Sequence, residues 1–154
     1  MKRMLFSFLL LLLVAGCASD SVTTTNANNR EVTFRVLSLG QSSGLTQPKF
    51  LTFRSATEFA TFWNIHTAAT NAPIPKINFQ QQMVIAVFMG EQRTGGYAIA
   101  IERIIELEQE LQVFVTLVKP KPGTNRVMMI SQPYMIVALA RSDKSVTFKF
   151  RSAS

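Results

Sequence analysis

Seven consecutive apolar residues at 83–89 (MVIAVFM) constrain this chain more than any other feature. A strand turns successive side chains to opposite faces, so a run with no polar member must be covered on both. Seven residues suit a strand and fall short of an ordinary helix. The run therefore predicts a central strand buried on both faces.

The segments around it read mostly as further strands. Residues 31–39 alternate in part through Val32, Phe34 and Val36, and residues 49–54 form a short strand after Pro48. Ser55-Ala56-Thr57-Glu58 has the form of a capping box, with the Ser hydroxyl placed for the N3 amide. Phe59, Phe62, Trp63 and His66 follow at helical spacing, which predicts one helix at about 56–68. From Tyr97 the odd positions Ile99, Ile101, Ile105 and Leu107 are apolar, interrupted by Arg103, and are read as a strand despite the helix propensity of residues 102–111. Residues 111–118 alternate cleanly. Residues 134–140 and 146–150 look like a closing hairpin over 141–145. The expected fold is α+β and mostly β: a curled antiparallel sheet or small barrel, with the single helix covering one opening.

The N-terminus carries an address. Lys2 and Arg3 precede ten residues, 5–14, that are apolar except for Ser7, and Ala15-Gly16-Cys17 follows. Ten helical residues reach about 15 Å, half of a bilayer core, so this is an export signal and no membrane span. Val14-Ala15-Gly16-Cys17 resembles a bacterial lipobox, which implies cleavage before Cys17 and its acylation with chains such as palmitate. Cys17 is the chain's one cysteine. Ala18 after the cysteine suggests the outer membrane of the cell envelope. Residues 17–30 hold one large apolar side chain, Val22, and read as a polar tether. The expected organisation is a lipoprotein signal peptide at 1–16, a flexible polar tether at 17–30 and one domain at 31–154.

Composition removes several chemistries. One cysteine excludes a disulfide framework and paired-cysteine zinc sites, and one histidine excludes H-E-x-x-H. The seven glycines contain no nucleotide-binding pattern, and no cofactor or metal is expected. His66 lacks an evident nucleophile and orienting acid, so it reads as a helix-surface or core-edge residue. Glu102, Glu106, Glu108 and Glu110 would line one solvated face of a strand. Residues 119–154 hold seven Lys and Arg against Asp143 alone. For an exported protein that basic balance points to an acidic envelope surface or a solvated face, not to nucleic acid. No enzyme is expected.

The 83–89 run with Gly90, then Arg93-Thr94-Gly95-Gly96-Tyr97, Pro120-Lys121-Pro122-Gly123 and Ser131-Gln132-Pro133-Tyr134, resembles the PrcB C-terminal domain family over roughly residues 50–150. In that family a His often follows Pro-Tyr, where this chain has Met135. The family takes its name from a non-catalytic lipoprotein subunit of a bacterial surface protease complex. The resemblance implies a lipid-anchored protein-binding module, an accessory or stabilising subunit or inhibitor of an envelope protease. Adjacent glycines admit positive φ and close approach of another backbone. Thr94, Gly95, Gly96, Tyr97, Pro133 and Tyr134 are the candidate binding residues, on loops expected to meet at one rim. The alternative is a carrier lipoprotein holding a small apolar ligand in a pocket inside the curled sheet.

Overall fold

A computed structural model describes residues 29–121, 123 and 127–153. The export segment, Cys17 and all of the tether before Asn29 lie outside the described residues. The elements are β1 (Arg30–Glu31), β2 (Phe34–Gly40), β3 (Lys49–Phe53), α1 (Ala56–His66), β4 (Gln82–Phe88), β5 (Ala98–Glu106), β6 (Glu110–Val118), β7 (Tyr134–Ala140) and β8 (Ser145–Ala153). They form two four-stranded sheets, ordered β1-β5-β6-β8 and β2-β7-β4-β3. Among the described residues no strand closes either sheet into a barrel, so the expected mostly β class holds, with two sheets packed as a sandwich where one curled sheet was the expectation.

The helix adds a third layer, and the central sheet explains the apolar run. Met83, Ile85 and Val87 of β4 join Ile99, Ile104, Val113, Val115 and Val137 in the core between the sheets. Val84, Ala86 and Phe88 face the other way and join Phe59, Phe62 and Trp63 beneath α1. Each fully buried side chain of this size contributes about 1.5–3 kcal/mol through burial, which fixes β4 and β7 as inner strands. Met83, Ile85, Val87, Ile104, Val113 and Val137 are all 0% exposed, so side chains pack the space between the sheets.

Three local expectations change. Ser55 is the helix N-cap, but its side chain makes no capping bond; its carbonyl accepts from the Phe59 amide instead, at 3.1 Å. The register of β5 on β6 shifts between Ile101 and Arg103. This bulge places Ile104 inward at 0% exposure, which is why the odd-numbered alternation fails at Arg103. The predicted closing hairpin is a corner between sheets: β7 lies in the central sheet, and β8 pairs with β6 in parallel. Arg54 holds the corner, donating from Nε to the Ser142 carbonyl (2.8 Å) and from Nη2 to that of Lys144 (2.7 Å).

Candidate protein-binding rim

β4 and β5 are joined by residues 89–97, β6 and β7 by residues 119–133, and both connections lie at the same end of the sandwich. Gln92 and Ser131 form a two-way backbone bridge, with the Gln92 N–H on the Ser131 carbonyl at 2.7 Å and the reverse bond at 2.9 Å. The Gly95 N–H donates to the Val127 carbonyl at 3.0 Å, and the Ser131 hydroxyl reaches the Thr94 carbonyl at 3.5 Å. Gly96 has φ +89°, and a Cβ on it would sit 3.0 Å from Cβ of Pro120. Gly96 thus serves close approach, and its neighbour is the proline loop singled out from the sequence. Lys121 and Gly123 of that loop are exposed, while Pro122 lies outside the described residues.

The backbones of the candidate residues gather at one end, but their side chains do not share a surface. Tyr97 is half-buried and packs against the core between the sheets. Pro133 is buried, and its carbonyl accepts from the Met89 N–H at 2.9 Å. Tyr134 turns to the helix side, stacking on Phe88 and meeting His66 edge-on at 4.4 Å between ring centres. Its hydroxyl bonds Ser38 Oγ at 3.1 Å. Met135, which follows the Pro-Tyr pair, faces the core between the sheets, where its sulfur accepts from the Ile101 N–H.

The exposed apolar part of the rim lies elsewhere. Val127, Met128, Met129 and Ile130 are 71, 82, 54 and 64% exposed, four in succession. Four consecutive exposed large apolar residues are unusual unless something covers them. In the sequence they read as a short apolar stretch like many others; only the loop conformation shows that they face out.

A second feature absent from the sequence reading is a buried Ser–His contact. Ser43 Oγ lies 2.9 Å from His66 Nδ1, and both residues are buried. The same hydroxyl accepts from the Leu45 N–H at 3.2 Å, and the Gly44 N–H donates to the His66 carbonyl at 3.0 Å. Gly44 lies so close to the Ile65 carbonyl that a Cβ would collide with it. Burial pushes the His66 pKa down, favouring the neutral ring. His66 is therefore a core residue clamping the 41–45 loop to the end of α1, correcting the surface or core-edge expectation.

Two members of the acidic set pair with two residues of the basic C-terminal third. Glu102 pairs with Arg151, and Glu106 pairs with Arg30 (2.5 Å) and Lys144 (3.0 Å). Hydrogen bonds from Arg151 and from Arg30 hold the Glu102 and Glu106 carboxyls below their ordinary range, and Thr147 does the same for Glu110. Among the described residues no cluster of three or more His, Cys, Asp and Glu is placed to hold a metal. No helix among them is long and apolar enough to cross a membrane.

Compared with known families, residues 83–140 match the family model described as PrcB C-terminal, so the resemblance read from the sequence holds over that stretch. The match begins at the first residue of the apolar run and ends with β7, so it contains the 89–97 and 119–133 loops. No curated protein and no solved structure matches the chain.

Proposed function

We propose that this chain is an exported, non-enzymatic protein-binding module, held at the bacterial outer membrane through acylated Cys17. Its rim engages an envelope protein, and the PrcB C-terminal match favours an accessory or stabilising subunit, or an inhibitor, of a protease complex. The observation that carries the reading is the exposed Val127–Met128–Met129–Ile130 run, seated on loops within the matched segment. Thr94, Gly95, Gly96, Tyr97, Pro133 and Tyr134 shape and stiffen that rim, and the four apolar residues supply its contact area. A well-packed apolar anchor at an interface is worth about 2 kcal/mol or more, roughly thirtyfold in affinity.

The test is crosslinking capture from the native envelope with the wild-type protein and with a Met128→Asp, Ile130→Asp double variant. Both positions are exposed, so thermal melts of the two proteins should coincide. Loss of the captured partner with an unchanged melt supports the rim. Equal capture by both proteins rejects it.

A further inference from the structure

Among the described residues, β3 is the outermost strand of the central sheet and pairs only with β4. Among the described residues, no backbone hydrogen bond from a loop reaches Lys49–Phe53 on its open side. Between this edge and α1 lies an apolar groove of about 450 Å³. Its β3 side is Leu51 and Phe53, and its helix side is Phe62 and Ile65, with Leu45 at one end. Ile65 is 54% exposed, an apolar residue left uncovered on the wall. An open strand edge beside an apolar groove supplies both parts of strand addition: backbone bonds for affinity and a trough for alternate side chains.

We infer that this groove is a docking site for an extended segment of a partner polypeptide, added as a further strand on β3. The charges at its ends define the segment. Lys49 stands at the Leu45 end and Glu58, in the first turn of α1, at the Phe53 end. Neither makes an ion pair among the described residues. The central sheet is antiparallel throughout, so the added strand runs opposite to β3. It then begins with a basic residue near Glu58, carries two apolar residues at alternate positions, and ends with an acidic residue near Lys49. The chain's own N-terminal segment does not fit this description. It enters at β1, while β3 lies at the other margin of the sandwich beside β8, where Phe50 meets Phe150 at 4.6 Å. Residues 18–28 also contain a single large apolar side chain. This site is separate from the rim proposal and stands without it.

The experiment uses the full-length chain and a panel of labelled heptapeptides. Each starts with lysine, ends with glutamate, and carries valine, isoleucine, leucine or phenylalanine at positions three and five, with threonine between. Fluorescence polarisation should show saturable binding for at least one peptide. Ile65→Glu and Thr61→Arg, both at exposed positions, should each weaken it at least tenfold. Exchanging the terminal lysine and glutamate should weaken it several-fold, and Met128→Asp should leave it unchanged. Bound peptide should slow hydrogen exchange at alternate amides of Lys49–Phe53. Binding by no member of the panel, or equal binding by wild type and both groove variants, overturns the proposal. So does a concentration-dependent dimer abolished by Ile65→Glu, since the groove would then belong to a second copy of this chain.

Discussion

His66 illustrates how a single side chain can be placed correctly along the chain and misread in space. The stripe Phe59, Phe62, Trp63, His66 was legible as one helical face. With no nucleophile or orienting acid evident in the sequence, the imidazole reads there as a helix-surface or core-edge group. Its partner, Ser43, lies 23 residues away in a glycine-bounded loop, and only the close approach of Gly44 to α1 brings the two together. A buried neutral ring has a direct consequence for pH. The unfolded chain takes up a proton as pH falls through about 6.5, whereas the folded state resists it down to its lowered value. The stability from keeping this ring neutral is complete above pH 6.5 and is lost as pH drops below it. Urea midpoints at pH 7.5 and 5.5 should therefore differ, with lower stability at pH 5.5. His66→Phe should reduce that difference while costing about 1–3 kcal/mol at pH 7.5 for the lost buried bond. An undiminished pH difference in the variant would place its origin elsewhere. The depressed carboxyls of Glu102, Glu106 and Glu110 titrate below this window.

Strands and helix were legible where one pattern ran uninterrupted, as in β4, β6 and α1. They were misread where a local irregularity or a partner choice decided the outcome. In β5 the bulge moves the inward position from the odd to the even series, so Ile104 is buried and Ile105 half-buried. Ile104→Ala should cost about 2–5 kcal/mol in urea unfolding, as for other fully buried aliphatic truncations. Ile105→Ala should cost clearly less, and equal losses would argue against the bulged register. The β7–β8 connection reads as a hairpin in the sequence because a short segment, 141–145, separates two strand-like stretches. The compositions already differed, however. β7 (YMIVALA) is apolar throughout and suits an inner strand, while β8 (SVTFKFRSA) alternates and suits an edge. The rim loop was legible as two glycines, but not the reason for each. Gly96 needs its positive φ and its missing Cβ, so Gly96→Ala should destabilise by about 1–3 kcal/mol. Gly95, whose added Cβ would meet nothing closer than 3.9 Å, should tolerate alanine far better. Thermal melts of the two variants separate these expectations.

The chain's strong positive charge reads in the sequence as suited to an acidic envelope surface or as a solvated face, and pairing across the sandwich occupies part of it. Arg151 and Lys144 of the C-terminal third are occupied by Glu102 and Glu106, leaving the exposed apolar loop as the more distinctive feature. Its direction relative to the proposed anchor follows from topology. Arg30 pairs with Glu106 at the far end of β5, whereas the rim precedes Ala98 at the near end. Eight residue steps along the strand separate the two, about 26 Å at 3.3 Å each. A lipid-held Cys17 followed by a polar tether would thus hold the entry end toward the membrane and turn Val127–Ile130 outward. The measurement is quenching by nitroxide lipids in vesicles carrying the acylated protein, with a fluorophore on Asn29→Cys or on Met128→Cys. Acylation consumes Cys17, so each variant presents one free thiol. Position 29 should be quenched more strongly than position 128. The parallel Cys17→Ser protein should incorporate no labelled fatty acid and stay off the vesicles. Stronger quenching at 128 would mean that the apolar loop dips into lipid, and the rim would then be a membrane contact instead of a protein-binding surface. Persistent fatty-acid labelling of Cys17→Ser would remove the anchor on which the orientation depends.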